Sequence, residues 1–179
     1  TGQAPRRWGN AHPNIVPYQV FKVADGWVII ACGNDGQFRR LVEIGGESGL
    51  ASDERFASNP QRVRNRDELI PLLEPMLLRR TSAQWIAALE EAGVPCGPIN
   101  DLNDVFQDPQ VLARKMLLEI PHPTAGRIRL PASALKMGAS PVEYRLPPPL
   151  LGEHTRAVLQ ELAGLADEEI MALQRNGVI

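Results

Sequence analysis

The sequence predicts an α+β fold, and three observations carry that expectation. Two β-rich runs, YQVFKV (18–23) and WVIIACG (27–33), are separated by Ala24, Asp25 and Gly26. Short β-branched and aromatic runs on either side of Asp-Gly are the pattern of an antiparallel hairpin. TSAQWIAALEEAG (81–93) opens with Thr81 and Gln84 at capping-box spacing, carries Trp85, Ile86 and Leu89 as an apolar stripe, and stops at Gly93. These features make it the clearest helix. A second pair of strand-like runs, MLLEIPHP (116–123) and GRIRLPAS (126–133), flanks Thr124, Ala125 and Gly126. Hairpin with helices therefore occurs twice, split near residues 100–115.

The remaining elements follow in order. Residues 1–16 read as irregular, because His12 precedes Pro13 and Val16 precedes Pro17, and a residue before proline is pushed toward extended geometry. After GNDGQF (33–38), Asp35 is placed to cap a helix through Leu41 to Ile44, stopped by Gly45 and Gly46. SDERFASNPQRVRNRDEL (52–69) is polar, with Phe56 and Val63 as its anchors. From Asn65 the apolar residues Leu69, Leu72, Leu73, Met76 and Leu77 fall at helical steps. Pro71 fits the first turns, whereas Pro75 is expected to kink the helix. VPCGPIN (94–100) reads as a turn-rich connection. Asp101 and Asp108 read as caps of two short helices, with Pro109 suited to a first helical position. RLPPPLLG (145–152) is extended. Helices from Glu153 and Asp167 close the chain, the latter with acids first and Arg175 last, which matches the helix dipole.

The chain has 179 residues, a formal net charge of −2 and 44% hydrophobic residues. That is enough for a core and fits one domain or one and a half. Near-zero charge argues against a nucleic-acid partner, and no apolar run nears the roughly 20 residues of a membrane helix. Cys32 and Cys96 lie too far apart for a metal pair, and Cys32, ending WVIIAC, reads as a buried thiol. A reducing, cytoplasmic setting is the expectation. The chain begins at Thr1 without methionine, and TGQAPRRWG fits no targeting sequence, so a piece of a longer protein is expected.

Chemistry is sparse. There is no phosphate-binding glycine loop. His12, His122 and His154 share no short helical spacing, so no metal site is predicted. His122 between two prolines and His154 in a first helical turn read as structural. Cys96, in what reads as a tight Pro95-Cys96-Gly97-Pro98 turn, has nothing nearby in sequence to lower its pKa. Arg55, Arg62, Arg64 and Arg66 read as a solvated face paired with Asp53, Glu54, Asp67 and Glu68 rather than as a phosphate site. GNAHPNIVPY (9–18) reads either as a linker or as a loop that touches substrate. On the residues alone the reading stops at a soluble α+β protein.

Four phrases in order resemble the family III CoA-transferases, the group of formyl-CoA transferase, carnitine CoA-transferase and α-methylacyl-CoA racemase. They are GNAHPNIVPYQVFKVADGWVIIACGND, DERFASNPQRVRNRDEL, GVPCGPINDLNDVFQDPQVLARKM and PPPLLGEHTRAVLQELAG. The resemblance implies the C-terminal portion of such a protein. Residues 1–16 would connect and face the active site, 17–110 would form a small α+β domain, and 111–179 would return to a Rossmann-like large domain. It also implies an interlocked homodimer. The implied activity moves CoA between carboxylic acids, through an aspartate nucleophile and an aspartyl-CoA intermediate. That aspartate falls outside this chain, so no catalytic residue is assigned and the chain alone is expected to be inactive. The acyl-CoA thioester and the acid are substrates, with no permanently bound cofactor and no metal.

In formyl-CoA transferase the segment matching residues 9–14 is a glycine-rich loop that closes over the thioester. Here His12-Pro13 stiffens the segment and makes it polar. The expectation is that Gly9, Asn10, His12 and Asn14 line the acyl pocket, with Asn10, His12 or Asn14 donating hydrogen bonds to a carboxylate. Gly33 and Asn34 would face the same cleft. A stiffer, polar loop suits a different acid from formate or oxalate, such as the dicarboxylate succinate. Two alternatives remain: a racemase of the same fold, moving the proton next to the thioester, or a non-catalytic binding or assembly module. If the chain is a piece, residues 116–179 are expected to expose apolar patches that promote association.

Overall fold

Tyr18–Lys22 (β1) and Trp27–Ala31 (β2) pair antiparallel, with Phe21 opposite Val28 and Lys22 opposite Trp27, in a computed structural model that describes residues 2, 4 and 7–179. The turn closes where Val23 N–H donates to Gly26 O at 2.9 Å. Alternation then buries Phe21, Val23, Val28, Ile30 and Cys32. The irregular stretch expected over 1–16 is irregular from residue 7 onward; residues 1, 3, 5 and 6 lie outside the described ones. The architecture is α+β, and the chain divides into two compact units, Thr1–Asp101 and Leu102–Ile179.

In the first unit the turn-rich connection expected over 94–100 contains instead a short strand, Cys96–Pro98 (β3). It adds to β2 with Cys96 opposite Ile30, giving the order β1-β2-β3. Pro98 within it and Pro95 before it hid it; an edge strand tolerates proline because one side needs no ladder donor.

Asp35–Ile44 (α1) is capped by Asn34 rather than Asp35. The Asn34 side-chain oxygen accepts from Gln37 N–H at 2.9 Å, which puts Asp35 inside the first turn. Gly49–Ser52 (α2) and Asn59–Arg64 (α3) were not expected and are too short to show a period. Arg66–Leu77 (α4) continues through both Pro71 and Pro75. Both prolines are exposed and four residues apart, so the carbonyls that lose N–H partners lie on the water side. Ser82–Glu91 (α5) begins with the predicted capping box: Thr81 Oγ1 accepts from Gln84 N–H, and Gln84 Oε1 accepts from Thr81 N–H.

These elements enclose one core of Phe21, Val28, Ile30, Phe38, Leu41, Phe56, Leu69, Leu73, Leu77, Trp85 and Leu89. Trp85 is fully enclosed and donates Nε1–H to Leu77 O at 2.7 Å. Where α1 ends against α4 a β-carbon on Gly45 would lie 2.0 Å from Met76 Sδ, so any larger residue there requires the buried Met76 side chain to move.

In the second unit Leu102–Gln107 (α6) and Pro109–Ala113 (α7) are the two short helices. Asp108 Oδ1 caps the second, accepting from Gln110 and Val111 N–H at 2.8 and 3.0 Å. Leu117–His122 (β4) and Gly126–Pro131 (β5) form the second hairpin. Its turn is held by His122 Nδ1, which accepts from Ala125 N–H at 3.1 Å, and by Gly126 at φ +71°. Residues 132–154 carry no helix or strand, and Thr155–Glu161 (α8) and Asp167–Arg175 (α9) end the chain. Ile170 is the one buried residue of this unit. Among the described residues no helix is long and apolar enough to cross a membrane.

Candidate functional site

The arginine run does not form one solvated face. Arg55 does behave that way, bridging Asp53 and Glu68 at 2.7 Å each in the open. Its hydrogen bonds hold the Asp53 carboxyl below the usual carboxylate range. Arg64 is exposed as well. Arg62 and Arg66 contradict the expectation: they are 0% and 6% exposed. The apolar stripe of α4, read backward from Leu73 and Leu69 in steps of four and three, lands on Arg66 and Arg62. Both therefore turn inward. What they meet is the segment before β1, whose carbonyls have no ladder and need donors once covered.

Arg62 donates Nε–H to Val16 O at 2.6 Å, Nη1–H to Phe56 O at 2.9 Å and Nη2–H to Asp35 Oδ1 at 2.8 Å. Its guanidinium lies 4.5 Å from the Phe38 ring centre. Arg66 Nη2 donates to His12 O at 2.7 Å and to Pro13 O at 2.9 Å, with its guanidinium 4.2 Å from the Trp8 ring centre. Asn59 completes the hold. It donates to Asn14 O at 2.9 Å, accepts from Val16 N–H at 3.1 Å and donates its own N–H to Asp35 Oδ1 at 2.8 Å. The 9–16 loop and the 33–35 loop are thus joined through Asn59, Arg62 and Asp35.

Within the first loop, Asn10 Oδ1 accepts from Val20 N–H at 2.8 Å and His12 N–H donates to Tyr18 O at 2.9 Å. The His12 ring stacks on Tyr18 at 5.2 Å with an 11° tilt. Its Nδ1 accepts from Asn14 N–H at 3.1 Å. A neutral imidazole that accepts at Nδ1 carries its hydrogen on Nε2, so His12 is set as an Nε2–H donor. Asn10 likewise has its amide N–H groups to offer. A groove of about 480 Å³ opens beside the loop, lined by Trp8, Gly9, Asn10, Gln19, Arg66 and Asp67 among others. Gly9 and Asn10 line this groove; His12, Asn14, Gly33 and Asn34 do not. Gly33 N–H donates to Gln37 Oε1 at 2.7 Å, and the Asn34 side-chain oxygen is spent on the α1 cap.

The family model described as CoA-transferase family III matches residues 1–155. The chain belongs to CoA-transferase family III. It is 40% identical to the mouse succinyl-CoA:glutarate CoA-transferase, over 97% of this chain and 40% of that protein. It is 42% identical to the succinate–glutarate CoA-transferase of Agrobacterium fabrum, over 90% of this chain and 40% of that one. A crystal structure of a CAIB/BAIF family protein from Brucella suis matches with a TM-score of 0.76 at 43% identity, over 90% of this chain and 42% of that chain. The chain spans about 40% of the length of these curated relatives.

The other candidate groups of this family III chain are quiet. Burial pushes the Cys32 thiol up to about 12, against weaker pulls from Arg62 and Arg40. Burial, and then Glu90, raises the Cys96 thiol. Neither is a poised nucleophile. His122 is tied into its hairpin turn, and His154 precedes α8 without a side-chain cap bond. Among the described residues no group of three His, Cys, Asp or Glu side chains is placed to hold a metal. Reading the residues singly missed Arg62, Arg66 and Asn59, which organise the loop. Only the helical step from Arg62 to Arg66 to Leu69 signalled two of them.

Proposed function

We propose that the polypeptide carrying this chain moves CoA between carboxylic acids, and that the acids are short dicarboxylates of the succinate and glutarate class. The observation that carries this reading is the 40% identity to a succinyl-CoA:glutarate CoA-transferase over 97% of the chain. The loop supports it. Asn10 and His12 are held by backbone contacts and keep N–H donors for an anion, and hydrogen bonds to a charged acceptor are the strong ones. Asn14 lies on the same turn, and Gly33 and Asn34 form the partner loop.

In the chemistry the family resemblance implies, an aspartate outside this chain attacks the acyl-CoA carbonyl, giving an acyl-aspartyl anhydride and CoA thiolate. The thiolate takes the aspartyl carbonyl, releasing the first acid and leaving aspartyl-CoA. The second acid then attacks the aspartyl thioester, and the released thiolate takes the new acyl group and frees the aspartate. Two easier exchanges replace one hard one. A small domain over 17–110, a return to the large domain over 111–179 and an interlocked homodimer complete the reading from the same resemblance. A cytoplasmic setting agrees with the two free thiols, Cys32 and Cys96.

The test is to incubate the complete polypeptide with succinyl-CoA and glutarate and to look for glutaryl-CoA by mass spectrometry. His12→Ala is expected to raise KM for the acceptor acid about 10-fold or more, the size of one hydrogen bond to a charged group. Normal kinetics of that variant with every substrate would remove His12 from the site. Solvent deuterium appearing next to the thioester of an α-methylacyl-CoA, with no acid required, would replace transfer by racemisation. Neither activity would leave a binding or assembly module.

A further inference from the structure

We propose that Arg66 is the positioning residue of the substrate loop: its guanidinium fixes the His12-Pro13 turn, and with it the loop whose His12 and Asn10 meet the acid. The loop's task rests on the function proposed above; that Arg66 holds the loop does not.

Four observations converge. Arg66 Nη2 reaches two consecutive carbonyl oxygens, His12 O at 2.7 Å and Pro13 O at 2.9 Å, although they lie 54 and 53 residues away in sequence. While making both bonds the guanidinium lies over Trp8 at 4.2 Å. A planar guanidinium can stack with its face and donate along its edge at once, which an ammonium cannot. Arg66 is also the first residue of α4, whose Leu69, Leu73 and Leu77 are fully buried, so the clamp is built on a rigid element. Finally, Arg66, Trp8 and Asn10 all line the same groove, so the clamp reaches the surface beside Asn10, while His12 lies outside that groove.

The consequence runs through His12. Holding both carbonyls sets the turn in which Asn14 N–H meets His12 Nδ1 at 3.1 Å, and that bond is what leaves the imidazole hydrogen on Nε2. A turn released from Arg66 no longer selects that tautomer or that stack on Tyr18. Arg62 differs in kind. It ties Val16 O, Phe56 O and Asp35 together and lines no part of the groove.

The experiment compares wild type, Arg66→Met and Arg66→Lys in the complete polypeptide by amide hydrogen exchange and steady-state kinetics. Exchange over residues 9–14 is expected to rise at least about 10-fold in Arg66→Met while α5 stays protected, since the lost contacts are local. KM for the acceptor acid should rise about 10-fold, with KM for the acyl-CoA donor within about twofold. Arg66→Lys should fall between, keeping the charge but not the fork and the stack. Unchanged exchange over 9–14, or an equal rise in α5, would overturn the proposal. So would raised loop exchange with an unchanged acceptor KM. A wild-type protein that transfers CoA to no acid would overturn the function and with it the acid-positioning role, while raised exchange over 9–14 would still uphold the clamp.

Discussion

The two units spend their apolar residues differently. In Thr1–Asp101 the sheet and α1, α4 and α5 close on a continuous core with Trp85 at full burial. In Leu102–Ile179 only Ile170 is buried, while Leu135, Met137, Leu146, Leu151 and Leu162 stand exposed. The second unit is held by local devices: the Asp108 cap, the His122 turn and a two-stranded hairpin. A hairpin of two strands is marginal in water by itself. Stability in this chain is therefore concentrated before residue 102, which is also where the loop and its clamp are built.

The largest effects should fall on one side of that division. Trp85→Ala removes a fully enclosed ring and leaves Leu77 O without its 2.7 Å donor, a loss of about 3–5 kcal/mol. Leu162→Ala, at a site 82% exposed, should change stability by less than about 0.5 kcal/mol. All three tryptophans, Trp8, Trp27 and Trp85, lie in the first unit. Urea unfolding followed by tryptophan fluorescence thus reads that unit alone, while far-UV circular dichroism reads both. Equal losses at the two sites would break the comparison.

Inside the first unit the same contrast divides the arginines. Arg62→Met strands the carbonyls of Val16 and Phe56 beneath the surface and leaves the half-exposed Asp35 with only the Asn59 N–H. Each carbonyl left buried without a donor costs about 1–3 kcal/mol. Arg55→Met breaks two ion pairs in the open and should leave the fluorescence midpoint unmoved at physiological salt. A matching loss at both sites would mean that the polar run acts as one network and that burial is not what separates them.

Much of this fold is legible in the sequence. Asp25-Gly26 announced the first hairpin, and Thr81 with Gln84 announced α5, because turns and capping boxes are local and their residue choices have local causes. β3 was missed because its prolines speak for a turn, and only the presence of β2 alongside makes an edge strand of it. α3 was missed because six residues show no period. The buried arginines were misjudged because charge argues for water. What draws Arg62 and Arg66 inward is a set of uncovered carbonyls 46 to 54 residues earlier, and locally only their helical step to Leu69 points inward. The site was legible in a similar, partial way. The loop at Gly9 to Asn14 stood out through its family resemblance, whereas the groove took in Gly9 and Asn10 and left Asn34 as a helix cap.

The smallest expected effect sharpens the division most. In the first unit α5 has a complete capping box, with Thr81 Oγ1 and Gln84 Oε1 each accepting a backbone N–H. In the second unit α9 has half of one: Glu169 Oε2 accepts from Ala166 N–H at 2.8 Å, but an alanine side chain has nothing to return. The Ala166 backbone is already extended, at φ −74° and ψ 160°, the conformation a serine cap uses. Ala166→Ser should therefore stabilise α9 by about 1 kcal/mol without moving the chain. The gain should appear as slower hydrogen exchange in α9 and a later circular-dichroism transition, with the tryptophan-fluorescence midpoint unchanged. A fluorescence midpoint that rose in step would show the two units unfolding together. The sparse core of the second would then be carried by the first, whatever its own caps contribute.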